Sequence, residues 1–281
     1  MLHTNKIKCI IDTFIKKIKN MKSLINILLL VITTTSLSCK NETQKENTVV
    51  LETETVDEPN QSSLNIIPIS HATFVLETEN ETIYVDPTGG LESFKDIKKP
   101  SLILITDIHG DHLSLETLEA IDLTNATLIA PLAVVEKLPA NLTQHNIVTL
   151  KNDDNFEYNG ITIEAIPMYN LREDALKYHS KGRGNGYVLT INDERIYISG
   201  DTEDIPEMRN LKNIDKAFVC MNLPYTMPVE SAASAVLDFK PKTVYPYHYR
   251  GTEGLSDIKK FKTLVNEGDK EIEVVSLKWY K

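Results

Sequence analysis

Apolar side chains along this chain come first in short β-type runs, at 66–69, 72–76 and 82–85, with the turn-like residues 77–81 between the last two. Runs this short on connections this brief predict an antiparallel opening. After Asp86-Pro87 and Gly89-Gly90 the pattern changes to strand and helix in alternation: strand 102–106, helix 114–120, strand 127–130, helix 132–138 and strand 147–150. A second β-rich stretch, at 161–166, 187–191 and 195–199, leads into a second alternation of strand 217–221, helix 229–239, strand 243–247, helix 255–266 and strand 272–276. Strand 102–106 reads Leu-Ile-Leu-Ile-Thr, apolar towards both faces, as an interior strand of a parallel sheet does. Helices that alternate with strands must cover a sheet to bury their apolar stripe. Two halves of one plan, each hairpin-like and then β/α, therefore predict a single α/β domain over residues 65–281, built as a four-layer αββα sandwich. No repeat of the residues themselves accompanies that repeat of elements.

Residues 1–64 follow a different pattern. Lys22 precedes the apolar stretch 24–32, and Thr and Ser then lead to Ser38-Cys39. A basic start, an apolar core too short to span a bilayer comfortably and a run of small residues is the order of a signal peptide. Cys39, directly after Leu37-Ser38, resembles the cysteine of a relaxed bacterial lipobox. Residues 21–39 are thus expected to be a lipoprotein-type signal peptide, and the mature chain an exported lipoprotein held by a lipidated Cys39 at the periplasmic or cell-surface face of a membrane. Residues 1–20 carry no signal core and read as an upstream extension, with translation beginning at Met21. The alternative is an amphipathic anchor using Ile7, Ile10, Ile11, Phe14 and Ile15. Residues 40–64, rich in Glu, Thr, Asn and Gln, cannot bury enough apolar surface to offset their ordering entropy and read as a polar tether.

Charge and cysteine usage narrow the partners. A formal net charge of −10 argues against a polyanion, whose binding rests on Lys and Arg contacts to phosphates, so no nucleic-acid partner is expected. Of the three cysteines, Cys9 lies upstream, Cys39 is taken by the lipobox, and Cys220 stands alone in a strand-like apolar run. Cys220 reads as inert core, which leaves no disulfide.

The candidate chemistry gathers at strand ends. Asp107-Ile-His109-Gly-Asp111-His112 directly follows strand 102–106, and ligand crevices of open α/β sheets lie outside the carboxyl ends of strands. Imidazole and carboxylate together suit Zn²⁺, Mn²⁺ or Fe²⁺, and Gly110 allows a turn tight enough to bring them together. Asp201 follows strand 195–199 after Gly200, His248 tips strand 243–247, and His179 opens a glycine-rich loop before another strand. Any one of them alone could be a surface residue; their joint placement makes a metal site. His3 and His145 have no partner motif and are set aside.

These motifs resemble those of metallo-β-lactamase-fold hydrolases, of the branch similar to L-ascorbate-6-phosphate lactonases and N-acylphosphatidylethanolamine phospholipase D. The resemblance runs from about Ile66 to the C-terminus, through Ser70-His-Ala-Thr-Phe74, Asp86-Pro87, residues 106–112, Gly186-Tyr-Val188, Ser199-Gly-Asp-Thr202 and Pro246-Tyr-His248. The family's loop is His-x-His-x-Asp-His, and here its first position is Asp107. The resemblance implies two divalent ions, Zn or Mn with Fe also possible: one held by Asp107, His109 and His179, the other by Asp111, His112 and His248, with Asp201 shared. Three carboxylates against two dications leave one positive charge for a bridging hydroxide. A mononuclear site on Asp111, His112, Asp201 and His248 is the alternative if Asp107 points away. Carboxylate in place of imidazole moves preference from Zn²⁺ towards Mn²⁺ or Fe²⁺, and Asp107→His is expected to keep two ions and favour Zn²⁺.

A metal-activated water would then attack an ester, lactone or phosphodiester of a small or lipid-derived molecule, with no side-chain nucleophile. Asp111 steers the water's proton. His71 is the leading further candidate at the reacting end, and Arg250, Tyr225 and Thr226 are candidates for charged substrate groups. A nuclease of the same fold and a non-catalytic metal-binding lipoprotein remain the competing functions.

Overall fold

The structure, a computed structural model, describes residues 64–280. The expected extension, the signal segment 21–39 and nearly all of the tether lie outside the described residues. No helix among the described residues is long and apolar enough to cross a membrane.

Six strands lie side by side in chain order in the first sheet: β1 (Asn65–Ser70), β2 (Thr73–Glu77), β3 (Thr82–Val85), β4 (Leu102–Leu104), β5 (Thr127–Ala130) and β6 (Asn146–Thr149). β1 to β3 pair antiparallel and β3 to β6 parallel. The parallel half needs crossovers, supplied by α1 (Leu115–Ala120) and the short α2 (Leu132–Val135) and α3 (Ala140–Thr143). The second sheet repeats the plan. β7 (Asn155–Tyr158), β8 (Ile161–Met168), β9 (Gly184–Ile191) and β10 (Glu194–Ile198) are antiparallel, then β11 (Lys216–Cys220), β12 (Thr243–Tyr247) and β15 (Glu273–Val274) continue parallel. A small hairpin of β13 (Arg250–Gly251) and β14 (Gly254–Leu255) stands apart, and helices α4 (Pro206–Arg209), α5 (Val229–Phe239) and α6 (Ile258–Gly268) complete the domain.

Side chains sort onto the faces by the period of two. Phe74, Leu76, Ile83, Val85, Leu102 and Leu104 share one core with Tyr187, Leu189, Phe218 and Tyr247 of the second sheet. Val75, Tyr84, Ile103, Ile105 and Leu128, one position out of phase, pack with Leu118, Val134 and Leu142 of α1 to α3. Phe74 stacks on Phe218 across the sheets at 4.4 Å between ring centroids, and Trp279 meets Phe74 edge-on at 5.8 Å. On the far side of the second sheet, α5 buries Val229, Ala232, Ala233, Val236 and Phe239, and α6 buries Phe261 and Val265. Both helices bury the i, i+3, i+4 stripe of an amphipathic helix. This is the single-domain α/β sandwich that the element order predicts.

The differences have local causes. The expected helix 255–266 starts at Ile258, because the Asp257 carboxylate caps the Lys259 and Lys260 amides while Gly254 and Leu255 pair in the hairpin. The expected helix 132–138 ends early, and α3 follows directly on Pro139. β7 carries too few apolar residues to be read as a strand. β4 stops at Leu104, two residues before the apolar run suggests. The Thr106 amide donates instead to the Asp86 carboxylate at 2.7 Å, and the chain leaves the sheet there.

Candidate metal centre

Carboxyl ends of strands from both sheets meet at one edge, and the chain strains to bring them close. His71, Asp86 and His248 all have φ near +50° (55°, 44° and 46°), a region that disfavours side chains and persists only where surrounding contacts impose it. Gly200, at φ +60°, lies where a Cβ would come 2.4 Å from Met168 Sδ. Only glycine admits this approach, and it sets Asp201 inward.

Asp86, the residue after β3, organises the first ring. Its Oδ1 accepts from the Thr106 amide, and its Oδ2 accepts from the Thr106 hydroxyl at 2.7 Å and from His112 Nδ1 at 2.8 Å. With that nitrogen donating, the His112 Nε2 lone pair faces the cavity. There it meets His248 Nε2 at 3.1 Å, Asp201 Oδ2 at 3.3 Å and Asp111 Oδ1 at 3.9 Å. Asp111 Oδ2 lies 3.3 Å from His248 Nε2, and Asp201 Oδ1 lies 3.4 Å from it. Asp201 also reaches across to His179, whose Nε2 is 3.2 Å from Oδ2.

His179 belongs to a second group with Asp107 and His109. His109 Nδ1 is 2.7 Å from Asp107 Oδ2, and His179 Nε2 is 3.9 Å from the same oxygen. His179 Nδ1 donates to the Tyr225 carbonyl at 3.1 Å, so its Nε2 lone pair also faces inward. All seven ligand-type residues expected from the sequence fall into these two groups, within each of which the offered atoms lie within 4.8 Å of one another.

Buried Asp201 Oδ1 and His179 Nε2 have no hydrogen-bond partner. Leaving such groups unpaired costs about 1–3 kcal/mol each, and inward-facing lone pairs on several imidazoles are satisfied together only by cations. The donor set of imidazole and carboxylate suits Zn²⁺, Mn²⁺ or Fe²⁺, so the residues fit the implied ions. The field agrees: burial acts to raise the Asp201 carboxyl, but His248, His112 and His179 around it hold it well below the usual range. Burial likewise opposes ionisation of Asp111, yet hydrogen bonds from His248 and His71 keep it a carboxylate.

Several residues at the site carried no sequence signal. Arg183 forms a fork on Asp107, with Nε 3.1 Å from Oδ1 and Nη2 2.9 Å from Oδ2. The count of three carboxylates against two dications must therefore be corrected, because Arg183 cancels Asp107 and leaves two net negative charges. Tyr280 accepts from the Tyr249 amide at 3.0 Å and turns its hydroxyl to His71 Nδ1 at 2.8 Å. His71 then carries its proton on Nε2, 3.4 Å from Asp111 Oδ2, and burial lowers its pKa, which keeps it neutral. Buried Glu203 takes the Leu171 and Arg172 amides on Oε2 and Arg172 Nε on Oε1 at 2.6 Å, which fastens the loop that carries His179.

The weaker candidates separate. Tyr225 lines a cleft of about 300 Å³ with His109, Asp111, Tyr178, His179, Asp201 and Asn222. Thr226 is buried and accepts from the Asn222 amide at 2.9 Å, so it faces away from any substrate. Arg250 lies over the Tyr280 ring at 4.2 Å. Cys220 is fully buried, and burial pushes its thiol up to about 12.

Comparison with known proteins places the chain among relatives. The beta-lactamase superfamily domain matches residues 82–249. The chain is 33% identical over 220 residues to a UPF0173 metal-dependent hydrolase of Pyrococcus horikoshii, covering 75% of this chain and 94% of that protein. A solved structure of a protein assigned as a metal-dependent hydrolase from Parabacteroides distasonis shares 39% identity at a TM-score of 0.68, over 77% of this chain and 94% of that one. Igni18, a metallo hydrolase from Ignicoccus hospitalis, shares the fold at 22% identity and a TM-score of 0.64, over 76% of this chain and 94% of that one.

Proposed function

This chain belongs to the beta-lactamase superfamily and, within it, to the UPF0173 metal-dependent hydrolases, and on that premise we propose that it is an exported enzyme that hydrolyses an ester, lactone or phosphodiester bond in a small or lipid-derived molecule. The observation that carries this reading is the buried Asp201 carboxylate, set between the His112/His248 pair and His179 with one oxygen unpartnered. Asp111, His112, Asp201 and His248 would hold one divalent ion, and Asp107, His109 and His179 the other, with Asp201 reaching both. Such ions supply Lewis-acid polarisation of the attacked oxygen and a water that is nucleophilic near neutral pH.

The chain's own residues do the rest. Asp111, its side chain 42% exposed, stands between the buried ligands and the cleft, where its carboxylate accepts the attacking water's proton. His71, held in one tautomer by Tyr280, donates Nε2–H towards Asp111 and keeps that carboxylate aimed. No side chain has to act as nucleophile.

Apolar surface supports the lipid-derived class and the branch resembling phospholipase D. Six of the seven exposed large hydrophobic side chains among the described residues come in the connections or first helical turns after strands, Leu91, Leu115 and Leu132 after β3, β4 and β5 and Leu171, Leu176 and Leu223 after β8 and β11, while Leu255 lies in the β13–β14 hairpin. Apolar side chains exposed in such connections offer contacts to an apolar substrate group. The acidic balance disfavours a nuclease, and the signal-like order before Cys39 supports export. A panel of lactone, carboxylic ester, phosphodiester and phospholipid substrates, run with metal-loaded wild type and Asp201→Ala, tests the reading. Metal-dependent turnover of one of these classes, absent from Asp201→Ala, is expected; turnover confined to RNA or DNA would overturn it.

A further inference from the structure

Asp107 and Arg183 lie 76 residues apart, yet each is built around the other. Asp107 is wholly buried and the Arg183 side chain is 18% exposed. Position 183 is fixed by its neighbours: the Asn185 amide donates to the Thr106 carbonyl at 3.0 Å, and Gly184 passes where a Cβ would come 2.9 Å from that same carbonyl. The backbone at the start of β9 is thereby laid against residue 106, and Arg183 beside Asp107.

The fork occupies both carboxylate oxygens. Oδ1 faces Arg183 Nε alone, while Oδ2 faces Arg183 Nη2, His109 Nδ1 at 2.7 Å and His179 Nε2 at 3.9 Å. Asp107 can thus offer an ion one oxygen only, from a pair whose net charge is zero. The two other members of its group are imidazoles, which are neutral when they ligate. Resting on the two-ion reading of the site above, we propose that Asp107 and Arg183 act as one ligand unit, in which the guanidinium cancels the carboxylate's charge and aims Oδ2, so that Arg183 is a positioning residue of the His109/His179 ion site.

The unit changes what single substitutions do. Asp107→His, expected from the sequence to keep two ions, instead strands a half-buried guanidinium beside the place where a cation would sit. Arg183→Met strands a buried carboxylate whose charge nothing cancels and whose rotamer only the His109 contact on Oδ2 holds. Only the double variant removes both charges together and presents three imidazoles.

The test is metal binding by the purified full chain, by titration with Mn²⁺ and separately with Zn²⁺, and by elemental analysis after dialysis. Wild type is expected to hold two ions. Asp107→His and Arg183→Met should each weaken one site by about 10–100-fold, the range for losing a group that orients a ligand, and retain one ion after dialysis. Asp107→His/Arg183→Met should recover the second. Asp107→His alone holding two ions at wild-type affinity, or a double variant no better than the worse single one, overturns the proposal. If the double variant does not fold, Arg183→Lys against Arg183→Gln decides: lysine, which keeps the charge, should hold two ions and glutamine one, and equal behaviour refutes the pairing. Asp201→Ala separates the two readings. If it too binds two ions, the site assignment itself has failed; if it loses metal while Asp107→His does not, only the coupling has.

Discussion

Asp201 concentrates the site's energetics in one side chain, since three imidazoles converge on its carboxylate. Asp201→Ala should lose at least one ion per chain and reduce turnover by at least about 100-fold, more than the loss of a group that merely orients a ligand; elemental analysis beside a rate assay reads both. Tyr280 acts more gently. Tyr280→Phe removes the proton that faces His71 Nδ1 and frees the imidazole to change tautomer, a loss of about 1 kcal/mol. Turnover should fall about fivefold with KM and metal content unchanged, and a matching change in metal content would reassign Tyr280 to a structural role. Cys220 is the opposite case. With its pKa raised to about 12 by burial, it is a neutral thiol throughout pH 6–9 and becomes thiolate only as the pH approaches that value. Mass mapping after iodoacetamide at pH 8 should leave the Cys220 peptide unmodified in the native protein and alkylated in denaturant.

At the scale of elements, Glu203 is one of the main fastenings of the loop between β8 and β9. Glu203 holds two backbone amides and the Arg172 guanidinium, which in turn donates to the Pro224 and Thr226 carbonyls at 2.9 Å. One connection therefore positions both the loop with His179 and the loop with Tyr225. Glu203→Ala should lower stability by about 2 kcal/mol, less than a fully buried pair because the Arg172 side chain is 35% exposed. Limited proteolysis should cut within 170–180 well before global unfolding; an unchanged cleavage pattern would place the loop's order elsewhere. Between the sheets, Phe74→Ala removes the ring that meets Phe218, Tyr247 and Trp279, at about 3–5 kcal/mol by chemical denaturation. Most of these elements were legible in the sequence: α5 and β12 begin and end where the apolar pattern places them. The misreadings fall where one side chain overrides the pattern, as Asp257 does in capping α6 and Asp86 does in drawing Thr106 out of β4.

For the whole molecule, the prediction to test is the lipid attachment expected at Cys39. Cys39→Ala should move the protein from the membrane to the soluble fraction, since buried acyl chains contribute about 0.8 kcal/mol per CH₂; a variant that stays in the membrane fraction with an unchanged mature N-terminus would refute lipidation. What the sequence determined by itself was the order of elements and the kind of chemistry. Apolar periodicity is local, and a loop bearing Asp107, His109, Asp111 and His112 at a strand's end has few uses besides holding metal. What only the tertiary structure decided was which distant side chains complete the site: Arg183 on Asp107 across 76 residues, Tyr280 on His71 across 209, and Glu203 beneath the loop of His179. Arginine, tyrosine and glutamate are common on any surface and carry no signal of their own. Their roles come from two strand ends meeting at one edge, and that meeting depends on how the sheets pack rather than on any pattern within a strand.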